Sequence, residues 1–109
     1  MLKNKVLTYI GFAKRAGKFK TGTNAIKTVK NGVYLLIICK TASENAQKEA
    51  VKLSERFGCP LYESVNCTIE EITDKENCKL MAILDLELSK AIIANVGNDF
   101  KEFSGGIRD

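Results

Sequence analysis

Seven consecutive residues, Val33-Tyr34-Leu35-Leu36-Ile37-Ile38-Cys39, carry no charge. β-Branched, aromatic and leucine side chains make up the run, which is too short for a typical helix and gives way at once to polar residues. It fits a strand buried on both faces. Leu80 to Leu84 reads the same way. A sheet whose central strands are apolar on both sides needs helices above and below it, so these two runs predict an α/β layered domain.

The remaining segments supply those helices. Leu2, Val6, Tyr9, Ile10 and Ala13 recur at helical spacing and predict a helix over 2–16, with Gly17 as its left-handed stop. Lys18 to Thr21 reads as a short basic extended piece. Gly22, Thr23 and Asn24 open a second helix with Ala25, Ile26 and Val29 inward, ending at Gly32. Thr41 and Glu44 have capping-box spacing for a third, whose inner stripe is Ala46, Ala50, Leu53 and Phe57. Gly58 ends it, and Pro60 leads into a short strand at Leu61 to Glu63. A short helix follows at 68–73. Asp85 can cap a last helix, with Leu88, Ile92 and Val96 inward and Gly97 at its end. At 109 residues the chain suits one domain. That domain is expected over residues 1–97, followed by a flexible C-terminal tail over 98–109 that contains Ser104, Gly105 and Gly106.

Charge is distributed unevenly. The first acid is Glu44, and nine bases precede it: Lys3, Lys5, Lys14, Arg15, Lys18, Lys20, Lys27, Lys30 and Lys40. The first 43 residues therefore carry +9, and the rest, with 13 acids against 8 bases, carry −5. A net charge of +4 hides this polarity. Such a field attracts polyanions and releases their counterions on binding, and it points to nucleic acid.

Several function classes are excluded or unsupported. The chain has no histidine, so Ser-His-Asp and Cys-His constellations cannot form. Cys39, Cys59, Cys67 and Cys78 make no CxxC pair and are expected as free thiols in a cytoplasmic protein. Neither metal nor other cofactor is expected, and the protein is read as a non-enzyme. Residues 1–17 lack the continuous apolar core of a secretory signal, and no apolar run approaches bilayer length. Gly17-Lys18 superficially suggests a phosphate loop, but the leading glycine is misplaced, Phe19 stands where a metal-binding hydroxyl is needed, and a helix precedes it. Glu70, Glu71, Asp74 and Glu76 are read as plain surface, on an edge facing away from any RNA.

Two stretches remain as binding candidates. Thr21-Gly22-Thr23-Asn24 stands at a helix start, where unpaired N–H groups and a permissive glycine let a phosphate or base edge come close. Lys27 and Lys30 then share one side of the helix. The same residues also serve as an ordinary N-cap with solvated lysines. Lys40-Thr41-Ala42-Ser43-Glu44-Asn45 follows the buried strand, where α/β sheets gather ligands. Lys40 could flank a binding face there, while Thr41 and Glu44 read as capping residues. With Lys14, Arg15 and Lys18 these residues compose the candidate basic face. Two rival readings are an enzyme using the carboxylates near Glu70 and a protein-interaction module docking that face on an acidic partner.

The chain resembles the L-seven-Ae family of ribosomal and RNA-binding proteins, in its bacterial YlxQ-like branch. Gly11-Phe12-Ala13-Lys14-Arg15-Ala16-Gly17-Lys18, Thr21-Gly22 and Thr41-Ala42-Ser43-Glu44-Asn45 carry the resemblance. Gly58-Cys59-Pro60-Leu61-Tyr62, Glu70-Glu71-Ile72 and the strand to Asp85 extend it in order, from about residue 6 to 96. It implies a three-layer α/β/α sandwich with a small four-stranded mixed sheet. It also implies binding of structured RNA without catalysis, either ribosomal RNA or a kink-turn, with ribosomal or ribonucleoprotein partners; nothing in the sequence argues for oligomerisation, so a monomer is expected. A kink-turn is an internal loop with tandem sheared G·A pairs that bends a duplex. Relatives contact it through the start of the second helix and nearby loops, which correspond to Gly22, Thr23 and Asn24. The chain departs from the family where Ala25 replaces a frequent acid and Thr28 falls at the expected lysine. The Thr73–Lys79 loop also lacks the family's glycine-rich apolar tip. These departures bear on kink-turn specificity rather than on the basic face.

Overall fold

The computed structural model describes residues 5–76 and 78–103. In chain order the elements are α1 (Val6–Arg15), β1 (Phe19–Thr21), α2 (Thr23–Lys27), β2 (Leu35–Ile38), α3 (Glu44–Phe57), β3 (Leu61–Ser64), α4 (Ile69–Thr73), β4 (Leu80–Ile83), α5 (Leu86–Ala94) and β5 (Phe100–Glu102). The strands join in one mixed sheet of order β1-β4-β2-β3-β5. β2 and β3 run parallel, with Leu36 opposite Leu61, and the other pairings are antiparallel. A parallel pair needs a long crossover, and α3 provides it.

Side-chain alternation along the central strands sets the layers. Leu35, Ile37 and Cys39 share one face with Met81 and Ile83, while Leu36 and Ile38 share the other with Leu80 and Ala82. Val6, Ile10 and Ala13 of α1, Ile69 of α4 and Ile92 of α5 cover the first face. Ile26 of α2 with Ala50 and Leu53 of α3 cover the second. The result is an α/β/α sandwich. β2 and β4 are buried along their whole length, which is why neither run contains a polar side chain. Each Leu or Ile buried there contributes about 1.5–3 kcal/mol relative to exposure.

The expected four-stranded sheet has five strands, and those the sequence did not mark lie at its edges. The basic piece before Gly22 is β1, which places Phe19 opposite Ile83. At the other edge, β5 overturns the expectation of a flexible tail from residue 98. Glu102 pairs with Tyr62 and Phe100 with Ser64. The Val65 N–H donates to the Asp99 carbonyl (2.8 Å) and the Phe103 N–H to that of Leu61 (2.9 Å). Phe100 packs into the α1–α5 side and Phe103 into the α2–α3 side. An odd spacing in extended chain puts two rings on opposite faces, so the segment lacks the period-two signature of a half-buried strand. The domain thus continues to residue 103. Ser104, Gly105 and Gly106 lie outside the described residues, as do Leu2 and Lys3.

One helix start differs from expectation and one helix is short. Ser43, not Thr41, caps α3, its hydroxyl accepting the Ala46 N–H at 3.1 Å. The capping box forms instead at α4, between Thr68 and Glu71. Asp85 caps α5 as its position predicts, and Gly17 and Gly58 adopt left-handed backbone after α1 and α3. α2 stops at Lys27, leaving Lys30 and Gly32 beyond it and Ala25 exposed. α3 meets the chain there. The Arg56 guanidinium donates to the carbonyls of Lys27 (3.1 Å) and Val29 (2.6 Å), and the first of these is the acceptor that a further helical turn would use. Thr28 adds a local stop, its hydroxyl donating to the Ala25 carbonyl at 2.7 Å.

Candidate functional site

Among the residues singled out in the sequence, Lys14, Arg15, Lys18, Thr21 and Gly22 gather around edge strand β1, in two groups. Lys14 and Arg15 occupy the last turn of α1, where the helix dipole favours cations. The Lys14 ammonium lies 5.5 Å from the centroid of the Phe19 ring, and the Arg15 guanidinium 5.1 Å from that of Phe12. Lys18 stands at the same end of the sheet, its carbonyl accepting the Leu84 N–H at 2.8 Å. Thr21 and Gly22 stand at the opposite end, where the Gly22 N–H donates to the Leu80 carbonyl at 2.9 Å. Four steps of extended chain, roughly 13 Å, separate Lys18 from Gly22. Exposed Lys20 bridges the two groups along the strand.

Lys40 joins the Gly22 end. β2 runs antiparallel to β4, so its C-terminal end meets the start of β4, and the Cys39 N–H donates to the Lys79 carbonyl at 2.7 Å. The Lys40 N–H is held by the buried Ser64 hydroxyl at 2.9 Å. Gly22 itself adopts φ 86°, ψ 142°, a backbone that L side chains rarely take, and with it turns the chain from β1 into Thr23 and Asn24. Asn24 is exposed, and Thr23 half-buried. With five residues α2 has little length over which to sum a dipole, so this corner depends on its open backbone and side chains more than the longer expected helix would have.

Packing changes the status of the other candidates. Lys27 pairs with Glu49 of α3 at 3.2 Å. Both side chains are partly solvated, so the pair stabilises the fold by at most about 1 kcal/mol, yet it competes with any phosphate for that cation. Lys30, beyond the end of α2, is exposed. Among the described residues no carboxylate forms an ion pair with Lys14, Arg15, Lys18, Lys20, Lys30 or Lys40.

Of the acids from Glu70 to Glu76, Glu70 does not face away from the candidate surface. β4 lies between β1 and β2, so the segment that enters it must pass the loops after both strands. The Lys75 ammonium donates to the Thr21 hydroxyl at 3.2 Å, and that of Lys79 to the Thr41 hydroxyl at 2.9 Å. Glu70 pairs with Lys79 at 3.1 Å. The Gly22 end is therefore of mixed charge, while the Lys14–Lys18 end is cationic. Lys20 and Lys75 are the two candidates that sequence reasoning passes over. Strand alternation could find Lys20; the position of Lys75 depends on the strand order.

Beneath the Gly22 end, Cys39 accepts the Ile69 N–H at 3.3 Å and lies 3.1 Å from the Thr41 hydroxyl. Burial alone would raise this thiol, but hydrogen bonds from Thr41 and Ile69, with Lys79 nearby, hold it below its ordinary value. Burial pushes Cys59 up to about 11, and Cys67 likewise, with help from Asp99 and Glu71. All four cysteines are buried and free. Among the described residues no cluster of three or more acidic or thiol side chains could hold a metal ion. No helix there is long and apolar enough to cross a membrane.

No protein-family model matches the sequence, and no curated protein matches it. Among solved structures, a protein with unknown function from Bacillus halodurans is similar, with a TM-score of 0.66 at 20% identity over 84% of this chain and 96% of its own. At that identity the likeness is one of fold, and it extends the α/β architecture to an experimentally determined relative in shape.

Proposed function

We propose that this protein binds structured RNA without catalysing a reaction, as a ribosome-associated, YlxQ-like member of the L-seven-Ae family acting in the cytoplasm. The observation that carries the reading is the belt of cations around β1. Lys14, Arg15, Lys18 and Lys20 come from the end of α1 and the edge strand that follows it, and no described carboxylate pairs with them. Phosphates placed along that edge would release condensed counterions, the main source of affinity for nucleic acid. Selectivity falls to the Gly22–Asn24 corner. The deep, narrow major groove of a regular A-form helix is closed to side chains, whereas a distorted internal loop presents base edges that Thr23 and Asn24 can bond. Binding would favour the bent RNA from among its conformations.

The test is a fluorescence-anisotropy titration with a kink-turn RNA and a control whose sheared G·A pairs are converted to Watson–Crick pairs. A preference of about tenfold or more, about 1.4 kcal/mol, supports structural readout. Asn24→Ala is expected to shrink that preference; equal weakening on both RNAs would remove Asn24 from the reading role. Equal binding of both RNAs by the unaltered protein leaves a general RNA binder. Absence of binding to either overturns the reading.

A further inference from the structure

Tyr9, Phe12 and Arg15 follow one another up α1 at i,i+3 spacing, Tyr9 partly buried against the α1–α5 core and Phe12 and Arg15 exposed. The Tyr9 and Phe12 rings meet edge to face, with centroids 6.3 Å apart and an interplanar angle of 66°. The Arg15 guanidinium stands on the other side of Phe12 along the ladder, 5.1 Å from its ring centroid. Phe12 is nonetheless 44% exposed, while the inward stripe of Val6, Ile10 and Ala13 is fully buried without it. Gly11 adds to the picture. A Cβ at that position would meet only the Arg15 Nη1, at an ordinary 3.7 Å. Core packing therefore does not demand this glycine, a poor helix former, in the middle of α1. Its effect is to leave the helix surface low beside the Phe12 ring.

We infer that Phe12 and Arg15 form a stacking subsite for an unpaired base of the bound RNA, separate from the Gly22–Asn24 corner. The inference rests on the RNA-binding reading above and names a second class of contact within it. The occupant follows from charge complementarity. Arg15 lies over the exposed ring, Lys14 beside it in sequence lies over Phe19, and Lys18 follows at the same end of the sheet; among the described residues none of the three has a carboxylate partner. An apolar protein side chain could cover Phe12 but would leave these cations unanswered. A nucleotide supplies both a flat π face for the ring and guanidinium and a phosphate for the lysines. Lys18 lies about four extended residues, roughly 13 Å, from Gly22. The stacked base therefore belongs to a single-stranded flank of the RNA rather than to the internal loop held at the corner.

The chain has no tryptophan, so Phe12→Trp places a single fluorophore in the subsite. The full chain is titrated with a kink-turn hairpin that is either blunt or extended by a short unpaired adenosine strand. The unaltered protein is expected to bind the extended RNA on the order of tenfold more tightly than the blunt one. Phe12→Ala should lose that increment and keep its affinity for the blunt RNA. Phe12→Trp should keep the increment and show fluorescence quenched by the extended RNA only. An extension that adds nothing, or Phe12→Ala weakening both RNAs equally, overturns the subsite while blunt-RNA binding keeps the RNA reading standing. Absence of binding to either RNA overturns both and leaves Phe12 to a protein partner.

Discussion

At the scale of single residues, Gly22 bears the sharpest constraint. A Cβ there would meet nothing within 4 Å, so the cost of a side chain lies wholly in its φ of 86°. Gly22→Ala is expected to destabilise the fold by about 1–3 kcal/mol, read as a lower urea midpoint; an unchanged midpoint would mean that the turn relaxes freely. Some of this chemistry is legible in the sequence. A glycine ahead of Thr23 and Asn24, in an acid-free stretch, marks a corner open to a ligand. Lys27 misleads for a physical reason: counting charge along the chain treats it as free, whereas folding brings Glu49 to 3.2 Å. Local sequence holds no record of a partner so distant along the chain.

At the scale of elements, Arg56 governs α2 from a different helix. Arg56→Ala removes two hydrogen bonds to backbone carbonyls near the end of α2 and should cost about 1–2 kcal/mol. Faster amide exchange confined to 23–29 would localise the effect, and uniform loss of protection across the fold would contradict it. β5 makes a second prediction. Phe100 is 2% exposed in the α1–α5 core, so Phe100→Ala should cost about 3–5 kcal/mol. A thermal midpoint unmoved by the change would restore the flexible tail that the sequence suggests. The contrast between strands explains what can be read. β2 and β4 are buried on both sides and announce themselves as apolar runs. β1 and β5 are edge strands of three residues with charged members, and their pairing is a tertiary fact.

At the scale of the whole molecule, strand order decides where the charge polarity of the sequence survives. β4 inserts between β1 and β2, so Lys79 at its start stands at the Gly22 end and brings its partner Glu70 there. The other end of β1 keeps Lys14, Arg15 and Lys18 without described carboxylate partners. The layered α/β class follows from two apolar runs and their intervening helices, and the solved structure of similar fold agrees with it at a TM-score of 0.66. The division of the candidate site into a cationic end and a mixed end cannot be read before the strands are ordered.

That division leads to the most direct measurement, the salt dependence of kink-turn RNA binding by the protein and by a Lys14→Gln, Lys18→Gln double variant. Each cation that no longer neutralises a phosphate should flatten the slope of log K against log salt by about 0.7–0.9, so the variant should be shallower by roughly 1.4–1.8. An equal slope in the two proteins would show that these cations meet no phosphate, and it would contradict the proposed RNA-binding surface.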